Sequence, residues 1–436
     1  MYLRSRIYLF ILMIFISSRI AAQGCPTSGY PSFYQCSDIE QFVTDYPDCS
    51  RLPSTLLLPQ WGVSSLDIYP ELALLDSISG NLLCDECSID ALIGLENISY
   101  VGGNVKIDEP HGTLTNLQGL NNLSYVGENF ILTECSDLIS TNGLDNLLYI
   151  GNNISLNDNN QLIEIIGFEN IHHLPGQLYF NEQDAMIDLS GFDSLITVGS
   201  NIRIWDNAVL NSLDGLNNIE LIGGDLDIDH NDSLLQLDAL KNLNTIGQNL
   251  VISKNERLDN IEALSSIVNF NGQIIVYQND LLTSLNGLEN IEAGSINNLY
   301  LSNCSSLSLC AQPNICEYLT NSMGPSTINF NDNGCNNETE IITNCSTTGL
   351  RKISSKKHFT VYPNPITSEA ILRCEIPQGI IHLEIYDNLG RLVKSIPEAE
   401  GNEIKINRAG LANGFYSLRI LKEREVIGNL KIIIGS

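Results

Sequence analysis

A 24-residue period in the middle of the chain is the feature that most restricts its fold. A pair made of a small residue and an apolar residue recurs along the chain, with a first interval of 25 residues and seven further intervals of 24. A register kept over this length is typical of a solenoid, in which each copy packs against its neighbours. The pairs are Gly94-Leu95, Gly119-Leu120, Gly143-Leu144, Gly167-Phe168, Gly191-Phe192, Gly215-Leu216, Ala239-Leu240, Ala263-Leu264 and Gly287-Leu288.

Each copy also contains an apolar-x-apolar segment that predicts a short strand after an Ile-Gly corner. The outer members are apolar in every copy, so we expect them to point into the core and the middle residue to face outward. Stacked in parallel, these segments predict one continuous sheet. They lie at 105–107, 130–132, 154–156, 178–180, 202–204, 226–228, 250–252, 274–276 and 299–301.

A corner position shortly after the predicted strand is occupied by an amide or a thiol in eight of the nine copies. An inward amide satisfies backbone groups that a tight corner leaves unpaired, and stacked amides bond from one turn to the next. We therefore expect a buried polar ladder, with short turns or 3₁₀ pieces on the far side of each copy. The ladder residues are Cys135, Asn159, Gln183, Asn207, Asn231, Asn255, Asn279 and Cys304.

The repeats resemble the receptor L-domain-like, leucine-rich-repeat family of exported bacterial proteins. The segment CSDIEQFVTDYPDCSRL (36–52) is similar to that family's N-terminal cap, and CAQPNICEYLTNSMGPSTINFNDNGC (310–335) to its disulfide-closed C-terminal cap. The resemblance covers about residues 25–345. It implies a mainly β chain: a right-handed parallel β solenoid of about nine 24-residue turns with disulfide-bonded caps.

The first 22 residues are predicted to be a signal peptide. Arg4 and Arg6 precede an apolar run at 7–16, and the small residues Ala21 and Ala22 follow it. No later segment approaches ~20 uninterrupted apolar residues, so we expect an exported mature chain without a transmembrane segment. Lipid attachment at Cys25 stays an alternative, although Ala22 stands where an aliphatic residue is expected.

All twelve cysteines follow the predicted cleavage site, and most of them form one group near the front and one near residue 320. In an exported chain such groups predict disulfides rather than zinc ligands. Cys84 and Cys87 have the C-x-x-C spacing of a redox or zinc motif. With no second pair and no thioredoxin-like context, a structural role is favoured for them.

Residues 359–436 predict a small β-sandwich, because alternating apolar segments are separated by Asn-Pro, Leu-Gly and Asn-Gly turns. This tail resembles the type A C-terminal sorting domain of the type IX secretion system. The resemblance implies export by that machinery across the outer membrane, to the medium or the cell surface. The motif residues are Tyr362, Pro363, Asn364, Pro365, Gly390, Arg391, Gly414, Phe415, Tyr416 and Lys431.

These patterns predict six successive parts of the chain. They are a signal peptide at 1–22, an N-terminal cap with the first irregular turns at 23–88, the repeat solenoid at 89–303, a C-terminal disulfide cap at 304–346, a linker at 347–358 and the sorting domain at 359–436.

Charge and motifs argue against several classes of function. Before residue 350 the chain has 42 acidic and 9 basic residues, a balance that disfavours nucleic acid and anionic membranes as partners. It contains no nucleophile elbow, P-loop or dinucleotide fingerprint, and His172-His173 is interpreted as part of a solvated loop. We therefore expect no enzyme activity, no cofactor and no metal centre.

The outward residues of the predicted strands vary between copies and predict a binding face. Exposed aromatic rings stack on sugars or dock apolar side chains, and nearby carboxylates bind hydroxyl groups. The alternative is that these residues are ordinary strand formers at the solvent. The candidate ligand-binding residues are Tyr179, Arg203, Trp205, Asp227, Asp229 and Tyr277.

Asp225, Asp227 and Asp229 have the alternate spacing that begins a calcium-binding loop. The pattern fails at His230, where the tight-turn glycine belongs, and at Gln236, where the bidentate acid belongs. A weak cation site stays an alternative, because folding alone does not explain three neighbouring carboxylates on the outer face.

The sequence thus predicts a secreted or cell-surface binding or adhesion protein with an unidentified glycan or protein ligand. One rival is a carbohydrate-active or other extracellular hydrolase with an unrecognised site. Another is a purely structural component of a surface layer.

Deletion of residues 359–436 should trap the chain in the periplasm, because the tail is the part that resembles a sorting signal. Immunoblots of periplasm and medium measure this. Normal secretion of the shortened chain would refute the assignment of the tail.

Overall fold

The structure is a computed structural model that describes residues 41–58, 66, 72–347 and 359–435, with gaps at 43, 47–48, 375–379, 387–390, 400, 402, 409 and 423–424. The predicted signal peptide, Cys25 and most of the linker lie outside these residues. The chain divides into two units, Met1–Thr348 and Gly349–Ser436. Among the described residues, every helix is too short or too polar to cross a bilayer.

A parallel sheet of twelve strands builds the first unit, with each strand next to the one from the following turn. It contains the nine predicted strands, two strands before them and one after them, so the sheet extends into both caps. The strands are Leu56–Leu57, Leu82–Asp85, Val105–Asp108, Phe130–Thr133, Ile154–Asn157, Leu178–Asn181, Ile202–Trp205, Leu226–Asp229, Leu250–Ser253, Gly272–Tyr277, Ile296–Ser302 and Ser326–Asn329.

The alternation of inward and outward residues is confirmed. From Val105–Asp108 to Leu226–Asp229, the first and third residues of each strand are buried and the second and fourth are partly exposed. Leu, Ile, Val and Phe side chains from successive turns form one continuous core. Burial of these apolar rows is the main stabilising contribution, at roughly 25 cal/mol per Å² of apolar surface.

The predicted Ile-Gly corner is itself a short strand, which the sequence analysis missed. These two-residue strands form two further parallel sheets of five. A glycine follows six of the ten, and it allows close approach of neighbouring turns: a Cβ on Gly127 would lie 2.0 Å from the carbonyl oxygen of Gly102. The strands are Arg51–Leu52, Ser77–Ile78, Tyr100–Val101, Tyr125–Val126 and Tyr149–Ile150 in one sheet, and His173–Leu174, Thr197–Val198, Leu221–Ile222, Thr245–Ile246 and Asn269–Phe270 in the other.

The small residue of each repeat pair sets the shape of the far side. Gly215 has a φ of 108°, a conformation that an L side chain rarely adopts. At Ala239 and Ala263, which replace this glycine, the chain instead forms 3₁₀ turns. The predicted 3₁₀ pieces are thus confirmed at Leu72–Leu74, Asp238–Leu240, Glu262–Ser266 and Ala293–Ser295.

The predicted ladder of buried amides is confirmed. Asn231 is fully buried, and its Nδ2 donates to the carbonyl oxygens of Ile204 (2.8 Å) and Asp229 (3.0 Å). Its Oδ1 accepts from the backbone N–H of Asn207 (3.3 Å) and from the Asn207 amide (3.0 Å). Cys135 takes the same position with a free thiol, whose pKa burial raises to about 12.

A second ladder runs just before the main strands and was not predicted. The backbone N–H of Asn129 donates to Oδ1 of Asn104 (3.0 Å), and that of Asn153 donates to Asn129 (3.1 Å). Asp225 belongs to this ladder, since its Oδ1 accepts from the backbone and the amide of Asn249, both at 2.9 Å. The signal in the sequence was the recurrence of asparagine at this position.

Disulfides close the C-terminal cap as predicted. The bond Cys316–Cys345 joins helix Pro313–Thr320 to helix Glu338–Thr347. The bond Cys310–Cys335 joins the segments that precede these two helices. Cys84 and Cys87 bond to each other with both residues buried, so the structural interpretation of their C-x-x-C spacing is confirmed. Cys49 is also disulfide-bonded.

The second unit consists of two antiparallel sheets with their own apolar core, as the tail predicted. One sheet contains Phe359–Tyr362, Glu369–Cys374 and Glu403–Asn407. The other contains Leu392–Ala399, Ile381–Tyr386, Gly414–Lys422 and Glu425–Ile434, in this spatial order.

Asn231→Ala should lower the free energy of unfolding by about 3 kcal/mol, because it leaves buried backbone carbonyls and the Asn207 donors without partners. Urea unfolding measures the shift in midpoint. Asn218→Ala is the matched control, since this exposed amide bonds one carbonyl at the surface. Equal shifts for both variants would contradict the role of the ladder.

Candidate functional site

Five of the six predicted ligand-binding residues meet on three neighbouring strands. Tyr179, Arg203 and Asp227 lie opposite one another in register, and Trp205 lies opposite Asp229. Each side chain is partly exposed. Neighbouring strands are about 4.8 Å apart, so these side chains form one cluster, which we call the Trp205 face.

Aromatic and cationic groups contact one another within the Trp205 face. The rings of Tyr179 and Trp205 meet edge to face, with centroids 5.7 Å apart. The Arg203 guanidinium lies 5.4 Å from the centroid of Trp205, within range of a cation–π contact. Its other contacts are loose: Nη1 donates to Gln177 at 3.3 Å, and Nη2 is 4.0 Å from the Asp225 carboxylate.

Tyr277 does not belong to this cluster. It lies on Gly272–Tyr277, three strands beyond Trp205 in the sheet, with Ser253 between it and Asp229. Its ring packs against Tyr300, with centroids 6.1 Å apart. The predicted set of six therefore divides into two separate groups on one face.

The three alternating aspartates have three different environments. Asp225 is bonded in the second ladder, as described above. Asp229 is 2.5 Å from Nδ1 of His230 and 3.7 Å from Nζ of Lys254, and it accepts from the hydroxyl of Ser253. Local partners therefore compensate the charges of Asp225 and Asp229, two of the three neighbouring carboxylates. Within the described ranges, no group of three or more His, Cys, Asp or Glu residues is arranged to hold a metal ion.

Asp227 is the aspartate with the most perturbed carboxyl group. Burial raises its pKa to about 6, against an opposing effect of the Trp205 indole N–H, which lowers the pKa. The charges of Asp229 and Asp225 raise the pKa further, and Arg203 lowers it. A partly buried carboxyl that titrates near neutral pH is a frequent feature of binding sites.

Two N–H groups of the Trp205 face lack an acceptor. Arg203 Nε and Trp205 Nε1 are shielded from solvent and make no hydrogen bond with any part of the chain that the structure describes. The Trp205 N–H is near enough to Asp227 to lower its pKa, but it falls outside hydrogen-bond geometry. Buried donors without acceptors cost roughly 1–3 kcal/mol each.

Sequence reasoning missed two further features of the solenoid surface. Tyr100, Tyr125 and Tyr149 stack in parallel with centroids 4.7 and 4.8 Å apart. In addition, the residue after each main strand from Leu82–Asp85 onward has a positive φ, as at Asp206 and His230. The tyrosines occupy one repeat position, which the alignment of the copies would have shown.

The predicted motif of the tail is assembled from both ends of the second unit. The backbone N–H of Ile433 donates to Oδ1 of Asn364 (2.7 Å), and the N–H of Ile366 donates to the carbonyl oxygen of Ile433 (2.7 Å). Asn364 lies between Pro363 and Pro365 in a bend after Tyr362, which is exposed. Asn364 and Ile366 therefore bind the backbone of the last strand, Glu425–Ile434, at Ile433.

The other motif residues lie on or near the four-stranded sheet. Gly414 pairs with Ile434, and Lys431 pairs with Ser417 along the backbone. The hydroxyl of Tyr416 donates to the carbonyl oxygen of Ala412 at 2.9 Å. Arg391 is exposed just before Leu392–Ala399, whereas Gly390 lies outside the described residues.

The fold defines a parallel β-solenoid protein with a smaller C-terminal unit of two antiparallel sheets. Residues 360–435 match the family model described as the secretion system C-terminal sorting domain. The chain therefore carries the sorting domain of the type IX secretion system, which directs it to the cell surface or the extracellular space. No curated protein matches the chain.

Asp227→Asn should stabilise the protein at pH 8 and leave its stability unchanged at pH 3. Because the pKa of Asp227 is raised in the folded chain, folding favours its neutral carboxyl. The stability that this carboxyl contributes is therefore fully present below pH 3.8, its ordinary pKa, and is lost as the pH rises through about 6. We expect a gain of about 1 kcal/mol at pH 8, because partial exposure reduces the effect of the full shift. Urea unfolding measures the gain.

The exposed carboxylate of Asp137 provides the control variant, Asp137→Asn. An equal effect of Asp227→Asn at both pH values would contradict the perturbed carboxyl.

Proposed function

We propose that the chain is a secreted or cell-surface binding or adhesion protein, and that the outer face of its solenoid sheet holds the ligand. The observation that supports this most is the contrast between the two sides of the main strands. Inward positions are apolar in turn after turn, while outward positions carry Arg, Asp, Tyr and Trp within two strand spacings of one another. Folding restricts the first set and leaves the second free to serve recognition.

Several contacts support binding rather than hydrolysis. Ser253, Asp229 and His230 lie together, but the Ser253 hydroxyl bonds to Asp229 and not to the imidazole. A catalytic triad needs the imidazole between the hydroxyl and the carboxylate.

A purely structural surface-layer role is the second candidate. It requires exposed apolar columns for side-by-side packing, and Ile139, Ile163 and Ile187 form such a column at one repeat position. A protein of this kind would assemble with itself, so its mass in solution would rise with concentration.

Binding is tested with the full secreted chain on arrays of glycans and of extracellular peptides, at pH 7.5. We expect retention on one ligand class and at least tenfold weaker retention of Trp205→Ala, because an aromatic anchor is removed. Retention of neither protein on any array would refute the binding function. Product release from a bound ligand would favour the hydrolase instead.

A further inference from the structure

We propose that the Trp205 face binds a neutral saccharide, with a sugar hydroxyl bridging the N–H of Trp205 and the carboxylate of Asp227. This inference rests on the proposed binding function and specifies its ligand class. Two observations support it: among the described residues, the Nε–H of Arg203 and the indole N–H of Trp205 lack an acceptor and the Asp227 carboxylate lacks a donor at full hydrogen-bond geometry, and these groups lie beside an aromatic ring.

The first step is the mismatch of polar groups. Asp225 and Asp229 have bonded partners, whereas the Asp227 carboxyl has no donor at full hydrogen-bond geometry in the described parts of the chain. Two N–H groups beside it, from Arg203 and Trp205, have no acceptor. A group that both accepts and donates satisfies this arrangement, and a hydroxyl does both.

The second step is access to the indole. The Arg203 guanidinium lies over the Trp205 ring, but it is held by one long hydrogen bond and one ion contact at 4.0 Å. A partly exposed side chain with such contacts moves at little cost. Its displacement uncovers both the ring face, for stacking on a pyranose, and the N–H at its edge.

The third step is the sign of the charge. The chain has a formal net charge of −29, and the Trp205 face contains Asp227 and Asp229, with the Asp225 carboxylate 4.0 Å from Arg203. Anionic glycans such as uronates are therefore repelled, while neutral hexoses are not. A water molecule also bridges a donor and a carboxylate, but it gains nothing from the aromatic rings, so the rings favour a sugar.

The test is calorimetry of the full chain with neutral oligosaccharides of glucose, galactose and mannose, at pH 7.5 and pH 5.0. We expect binding to one series at pH 7.5 and no binding of an oligouronate. Trp205→Ala should weaken binding at least tenfold through loss of stacking and of one hydrogen bond. Tyr300→Ala, on the same sheet but away from this cluster, should change affinity less than twofold.

The pH arm tests Asp227 itself. Lowering pH to 5.0 protonates this carboxyl and should weaken binding by the wild-type chain about tenfold, because a charged acceptor is lost. Asp227→Asn should bind weakly at both pH values and show no such change. Circular dichroism confirms that each variant is folded.

Three outcomes overturn the proposal. If the chain binds peptides or uronates but no neutral sugar, the ligand class is refuted and the binding function stands. Sugar binding that Trp205→Ala does not weaken refutes the location. Binding to no probe of any class refutes both this proposal and the binding function.

Discussion

The hydrogen bonds between successive turns are the interaction on which the rest of the solenoid depends. At one corner Asn207, Asn231 and Asn255 bond backbone and side-chain groups of the adjacent copies. Before the strands, residues such as Asn104 and Asn129 do the same. A strand that slipped by one residue would break both ladders and turn its apolar side chains to solvent. Two rows of amides therefore fix the register of the whole sheet.

A fixed register is what makes the outer face able to recognise a ligand. Tyr179, Arg203 and Asp227 lie in one row because three consecutive strands pair residue for residue. Their backbone does not need to rearrange when a ligand binds, so little ordering cost is added to association. The movement required is that of one arginine side chain. The ladder thus contributes to recognition through rigidity, although it does not touch the ligand.

Much of the fold followed from the sequence because each copy repeats the same physical requirements. Inward apolar residues, the buried amide position and the 3₁₀ pieces were predicted, and so were the closed cap and the two-sheet tail. The short second strands were missed, since two residues are too few to show a period of two. The change from a glycine turn to a 3₁₀ turn at Ala239 depends on φ, which the alignment of copies did not consider.

The candidate site was less predictable, because it depends on contacts between strands. The alternation in the sequence placed Asp225, Asp227 and Asp229 on one face, but it did not reveal that Asn249 and Ser253 bond the first and the last. Nor did it show that Tyr277 pairs with Tyr300 instead of Trp205. The loose contacts of the Arg203 guanidinium and the N–H groups without acceptors among the described residues depend on how side chains from neighbouring turns pack together. Composition and spacing do not contain this information.

The most direct measurement is the fluorescence of a Trp61→Phe variant, which leaves Trp205 as the single tryptophan of the chain. Titration with the neutral oligosaccharide that binds best should shift its emission to shorter wavelength and saturate at the same concentration as the heat of binding. This result is expected if the ligand covers the indole. Binding heat without any change in the emission of Trp205 would place the ligand elsewhere and contradict the account.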